Sequence, residues 1–401
     1  SPRMRADSTR HPKMRTVRDL KHLGQEGIFD SDIISSPNTI LITKILLRVA
    51  KILMTQFDYE STLQKLMTPE TVRALGDIRE LRGRQEARFE ASPASLDVLV
   101  EVAKIQSTGA SNRIENISTS EGRLRELMAE KTTPRNRDER EIAGYRYVLD
   151  MIHESHDAIP VTPNVILQLH RDLYRFSDDS FAGKWKDSDN IIAECLPGGR
   201  TVARFTPTSA AGTPAAVERI CSEYSTHISK GTYDPLLVSL AFVFDFVSIH
   251  PFNDGNGRMS RLLTLLLLYR SGYTVGKYIS IEKEIERTKE TYYEALAASS
   301  IGWQAGEGDY MPFVTYMLGI VAACYRDLDD RLSLVSVSAS NEDAIRAYFE
   351  SLVGTATKRD IMDANPTMSQ RTLERILSKL QREGAIEKTG AARATAYRRT
   401  E

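Results

Sequence analysis

The chain has 401 residues, enough for two or three domains. Lys and Arg number 53 against 54 Asp and Glu, and the resulting charge of −1 argues against a global field directed at nucleic acid or membrane. Three scattered cysteines, Cys195, Cys221 and Cys324, argue against a disulfide framework or a cysteine metal site and fit a reducing, cytoplasmic setting.

Residues 1–53 read as a basic and apolar extension. Positions 1–21 carry seven Lys/Arg and two acids, and residues 40–50 are an apolar run interrupted by Lys44 and Arg48. The run begins late, holds two charges and precedes no convincing cleavage site. It therefore reads as a disordered tail, or as sequence upstream of a start at Met14 or Met54, rather than as a secretory signal. No apolar stretch reaches 18 uncharged residues, so no membrane span is expected.

Residues 54–135 read as an N-terminal helical region. Thr68-Pro69-Glu70 is a helix start, with Thr as N-cap and Pro in the first turn, and the helix runs to about Glu90. Ser92-Pro93 opens the next, which is expected to end near Gly109. Ser111-Asn112-Arg113-Ile114-Glu115-Asn116 is by itself a polar helical turn. Residues 136–331 continue the pattern. Positions 138–153 are amphipathic, and Thr162-Pro163 opens a helix with Ile166, Leu167, Leu169 and Leu173 on its apolar stripe. His170 lies on that stripe and reads as a satisfied core histidine. Between Phe181 and Pro207 the helical period stops. Gly183-Lys184-Trp185-Lys186, Asn190-Ile191-Ile192-Ala193, Pro197-Gly198-Gly199 and Val202-Ala203-Arg204-Phe205 predict a β-hairpin with a Gly-rich turn.

Two apolar runs, 235–249 and 262–269, are too long for ordinary strands and predict buried helices. Between them stands His250-Pro251-Phe252-Asn253-Asp254-Gly255-Asn256-Gly257-Arg258-Met259-Ser260-Arg261. Gly255 and Gly257 let backbone approach a ligand where a helix opens, and a helix N-terminus attracts phosphate. Asp254 is a hard oxygen ligand suited to Mg2+. Arg258 and Arg261, three apart, share a helix face and can grip a polyphosphate. His250 can take a proton near neutral pH. Together these residues predict attack of a hydroxyl on a nucleotide phosphate.

The same stretch resembles the signature of the Fic family, His-Pro-Phe-x-Asp/Glu-Gly-Asn-Gly-Arg-x-x-Arg, with no departure at a fixed position. The resemblance implies an all-helical core that transfers AMP from ATP to a protein hydroxyl of Ser, Thr or Tyr. ATP would lie on Asn253, Gly255, Asn256, Gly257, Arg258 and Arg261, with Mg2+ on Asp254 and His250 as base. Ser111, Glu115 and Asn116 match the family's Ser/Thr-x-x-x-Glu-Gly/Asn inhibitory helix, so the resemblance implies that Glu115 pairs with Arg261 and blocks the productive ATP pose. The hairpin stands where the family has a flap that clamps the target's backbone, here with Ile191 and Ile192. Lys186 replaces the family's usual Arg before it. Tyr292 and Tyr293, in a helix predicted over 282–299, match a pair that borders adenine and ribose; one is expected to touch nucleotide and the other to pack.

Residues 311–326 predict a closing helix, and the Ser-rich seam 332–340 predicts a linker. Residues 341–401 then read as three helices (342–352, 357–364 and 369–383) and a hairpin, a winged helix-turn-helix. Arg371, Arg375 and Lys379 share one helix face. The expected fold is mainly α, with a β-hairpin flap and this small module. The expected partners are protein substrates, the chain itself among them, and DNA through 341–401; no membrane partner is expected, and homodimerisation stays open. Two other readings stand beside the transferase: a nucleotide-sensing DNA-binding regulator, and an enzyme that also removes AMP with Glu115 orienting a water.

Overall fold

The structure, a computed structural model, describes residues 57–400 apart from 90–92, 196–200, 353, 366–367 and 390–394. The expected extension 1–53 and the expected turn at Pro197-Gly198-Gly199 lie outside the described residues.

Among the described residues, six α-helices precede the flap: α1 (Tyr59–Leu66), α2 (Pro69–Phe89), α3 (Pro93–Ile114), α4 (Glu121–Met128), α5 (Arg137–Ser155) and α6 (Pro163–Leu173). Side chains cap several of them. Asp58 accepts from Ser61 N–H, Asn136 from Glu139 N–H and Thr162 from Val165 N–H. Each satisfies one of the orphan donors of a first helical turn. α3 does not stop near Gly109 as expected. Glycine lowers helix propensity without ending a helix, and α3 runs on to Ile114, so Ser111 sits in its last turn.

Strands β1 (Ile192–Cys195) and β2 (Thr201–Phe205) pair antiparallel, with a bulge at the Ile192 end. Residues 183–186, expected as part of this hairpin, leave a turn at Gly183 and run on as irregular loop instead. Their polar backbone is used elsewhere: Gly183 N–H donates to His170 Nδ1 (3.0 Å) and Lys186 N–H to Pro251 O (2.9 Å).

Helices α7 (Thr213–Lys230), α8 (Pro235–Ile249), α9 (Asn256–Arg270), α10 (Ile281–Arg287), α11 (Lys289–Ser300) and α12 (Met311–Ser351) complete the helical body. α8 and α9 are buried almost all round, which is why their sequences lack a polar face. They form the middle of one apolar cluster that begins at Phe57 and ends at Leu332. Asp245, inside α8, accepts from Trp303 Nε1 (2.8 Å) and Tyr310 Oη (2.5 Å), and burial raises its pKa to about 7.

The seam 332–340, expected as a linker, lies within α12, as does the helix expected at 342–352. The seam holds no Gly or Pro, so nothing in it breaks the helical ladder. Beyond it come β3 (Ala356–Thr357), α13 (Lys358–Ala364), α14 (Gln370–Arg382), β4 (Ile386–Thr389) and β5 (Ala396–Arg399). The strands form one antiparallel sheet in the order β3-β5-β4, and the sequence reading missed β3. A separate apolar cluster from Ile345 to Tyr397 holds this small unit together. Thr357 and Asp360 form a capping box on α13, and Ser369 caps α14.

Candidate active site

His250 ends α8 with φ of 52°, in the left-handed region. A non-glycine residue there is held by its surroundings. Lys186 supplies part of that hold. Its Nζ donates to Ile249 O (3.1 Å) and to Asn190 Oδ1 (2.8 Å). Burial, and after it Lys186, lower the His250 pKa to about 4 against the opposing pull of the Val247 carbonyl and the Glu115 and Asp254 carboxylates. At neutral pH the ring is therefore uncharged and able to accept a proton.

The loop after His250 is stapled by Asn256, whose Oδ1 accepts from Phe252 N–H (2.9 Å) and whose Nδ2 donates to Phe252 O (2.8 Å). His170 supports it from α6. Nδ1 accepts from Gly183 N–H, so Nε2 carries the proton and donates to Asp254 O (3.1 Å), and the ring stacks on Phe252 at 3.7 Å. It is a satisfied core histidine, with burial lowering its pKa to about 4. Gly255 turns the chain into α9 with φ of 81°. A Cβ on Gly257 would fall 2.0 Å from Glu115 Oε1, so only glycine leaves room for that carboxylate against the first turn of α9. A helix N-terminus favours negative charge at that place.

Glu115 follows α3, and Asn116 reverses the chain with φ of 61°, a region Asn tolerates. Lys289 Nζ donates to Ile114 O (2.8 Å), and Arg113 forks onto Glu286 at 2.6 and 2.9 Å, so the end of α3 is tied to α10 and α11. Arg261 is clasped from three sides. Nε donates to Ser111 Oγ (2.8 Å), and Nη2 to Ser111 O (2.9 Å) and Glu115 Oε1 (2.7 Å). Burial would raise the Glu115 carboxyl; Arg261, with Arg258 and Lys289 beyond, holds it below the usual range.

Two cavities meet at this point. One, of about 250 Å³, is mostly apolar and has Ile192, Phe205, Tyr292, Tyr293 and Leu296 in its walls. The other, of about 380 Å³, is polar and is walled by Arg137, Glu141 and the Asn253–Arg258 turn. Glu115, His250, Asn256 and Gly257 border both. The arrangement suits a molecule with a flat apolar ring at one end and a polyanion at the other. Residues 160–268 match the Fic/DOC family.

Curated relatives match part of the chain. The protein adenylyltransferase Fic of Drosophila erecta is 33% identical over 178 residues, which is 44% of this chain and 31% of that protein. The protein adenylyltransferase fic-1 of Caenorhabditis elegans is 28% identical over 167 residues, 42% of this chain and 28% of that protein. The matched segment thus spans under a third of each relative. Among solved structures, a Fic family protein from Desulfovibrio desulfuricans G20 has a TM-score of 0.55 at 23% identity, covering 83% of this chain and 97% of its own. A Fic domain containing signaling protein from Bacteroides thetaiotaomicron VPI-5482 has the same score and identity, covering 64% of this chain and 97% of its own. The helical body has the Fic fold.

Within this Fic fold the candidate residues are not equally open. Asn253 is exposed and donates to Asp187 Oδ1 (3.3 Å). Asp254 is half-exposed. Arg258 is 1% exposed. Its Nη1 lies 2.6 Å from Glu141 Oε2, its Nη2 donates to Tyr174 Oη (2.8 Å), and its guanidinium lies over the Tyr174 ring. Ile191 is 61% exposed, whereas Ile192 is half-buried on the apolar cavity wall. Tyr292 is buried against Phe313 and Tyr316, and Tyr293 is half-buried; both line the apolar cavity. Sequence reasoning missed Arg137, Glu141 and Tyr174. The one signal for Arg137 and Glu141 was their spacing, an Arg and a Glu four apart at the start of α5, which is common on solvated helices; Tyr174 carried none. Among the described residues no cluster of three His, Cys, Asp or Glu could hold a metal, and no helix is long and apolar enough to cross a membrane.

Proposed function

We propose that the chain is a protein adenylyltransferase, moving AMP from ATP to a Ser, Thr or Tyr hydroxyl of a protein. The observation that carries this reading is the meeting of an apolar and a polar cavity at a neutral, half-buried His250. Adenine fits against Tyr292, Tyr293 and Leu296, and the phosphates fit the Gly255–Gly257 turn. His250 takes the proton of the attacking hydroxyl, its oxygen bonds to the α-phosphorus, and pyrophosphate leaves. Chemistry of this kind depends mainly on positioning and charge. A single half-exposed carboxylate suits Mg2+, which completes its shell with water and phosphate oxygens, so Asp254 would hold the ion. When bound, the ion neutralises phosphate charge.

The Glu115–Arg261 pair supports autoinhibition. It occupies an arginine suited to the outer phosphates and sets a carboxylate at the phosphate site. Glu115 also stands beside His250 on both cavity walls, which supports a reverse activity in which it orients water to release AMP. The unit at the end of the chain, two capped helices with a three-stranded sheet, suits a winged helix-turn-helix that docks DNA or protein.

Labelled ATP tests the central claim. Label should pass to protein from Glu115→Gly and not from His250→Ala in the same lysate. Equal labelling by the two variants overturns it.

A further inference from the structure

We infer that Arg137 is a further polyphosphate-binding residue of this site. The inference rests on the ATP reading above and adds to it a contact from α5, outside the segment that matches the family model. Arg137 is the first residue of α5 and stands at the wall of the polar cavity, with 66% of its side chain exposed. Two carboxylates hold its guanidinium. Nε donates to Glu141 Oε1 (2.6 Å), and Nη2 reaches Asp254 Oδ2 at 3.3 Å.

The two contacts differ in kind. Glu141 is 1% exposed and is itself fixed by buried Arg258 on its other oxygen, so it is a rigid tether. Asp254 is 45% exposed and is the carboxylate suited to a divalent cation. A guanidinium and a divalent cation compete for that oxygen, because each brings positive charge to the same place. A cation on Asp254 repels the Nη2 end of Arg137, while Glu141 keeps Nε where it is. The freed donors then swing about that tether within the cavity that also holds the Asn253–Arg258 turn. A planar fork of N–H donors is matched to phosphate oxygens, and the outer phosphates are the groups this cavity would receive. Arg258 and Arg261 are both buried and held by carboxylates, so exposed Arg137 is the cation that meets an arriving polyphosphate from the solvent side.

The test is calorimetry on the full chain, titrating ATP and AMP with and without Mg2+ into wild type, Arg137→Ala and Arg137→Lys. AMP lacks the outer phosphates and serves as the internal control. Arg137→Ala is expected to weaken ATP binding in Mg2+ about tenfold and to leave AMP binding unchanged, with Arg137→Lys in between because it keeps charge and loses the fork. An ATP-to-AMP affinity ratio in Arg137→Ala equal to that of wild type overturns the inference. So does an equal loss for both nucleotides, which would mean that Arg137 only supports α5. A wild type with no preference for ATP over AMP in Mg2+ overturns the ATP reading itself, whatever the variants do.

Discussion

Glu141 Oε2 lies 2.6 Å from Nη1 of Arg258, and each side chain is 1% exposed. Neither atom meets hydrogen-bond angles, so the contact is one of charge against charge. The second Glu141 oxygen accepts from Arg137. One buried carboxylate thus serves two arginines, one of them in the signature turn.

Removing one member of a buried pair leaves the other charge uncompensated. Glu141→Ala should therefore cost about 3–5 kcal/mol of folding stability. Replacing both ends with apolar groups, Glu141→Leu with Arg258→Met, should cost less than Glu141→Ala alone. Denaturant unfolding of the three proteins measures this. A loss below about 1 kcal/mol for Glu141→Ala would mean that the pair is effectively solvated.

Glu115→Gly should raise AMP transfer about ten- to a hundredfold, the scale of one charge-assisted hydrogen bond. ATP affinity should change little. Adding Arg261→Ala should abolish the gain, because Arg261 is then missing from the active pose. Label incorporation at equal protein for the four combinations decides it. A Glu115→Gly protein no faster than wild type would make residues 111–116 an ordinary helix end.

The pH dependence follows from burial at His250. Its pKa is lowered to about 4, so the base is neutral above that value and is lost as pH falls through it. Transfer by Glu115→Gly should stay level from pH 8 to about 5, where a solvated histidine would already have lost activity below about 6.5. His250→Ala should lose about 10²- to 10⁴-fold at every pH. A limb of kcat/KM centred near 6.5 would place His250 in water.

The last unit makes a weaker claim on DNA than its sequence suggests. Of the face Arg371, Arg375 and Lys379, Lys379 is drawn to Glu342 (2.7 Å) and Glu383 (3.8 Å), so its charge is partly neutralised. The full chain should shift a DNA fragment at about 50 mM salt, release it as salt rises, and do so with a shallow salt slope. Arg371→Glu with Arg375→Glu should abolish the shift. No shift by wild type at low salt would favour protein docking.

The sequence by itself determined much of the local structure. Side-chain caps, proline starts and apolar runs are interactions between near neighbours, so Thr162-Pro163, Ser369 and the two long runs around 250–261 marked their elements. The signature placed base, carboxylate, glycines and arginines within twelve positions, and it also carried the resemblance that matched residues 111–116 to Arg261.

What tertiary structure decided was which charge faces which. The sequence reads Arg258 as a phosphate ligand and says nothing of its neighbours; the fold encloses it between Glu141, 117 residues earlier, and Tyr174. Nothing local to Arg258 encodes that enclosure, because it arises where α5 and α6 cross the start of α9. The helix through 332–340 followed the same logic in reverse. A serine-rich seam is polar enough for a linker, but without Gly or Pro its backbone donors and acceptors are satisfied most simply by continuing α12.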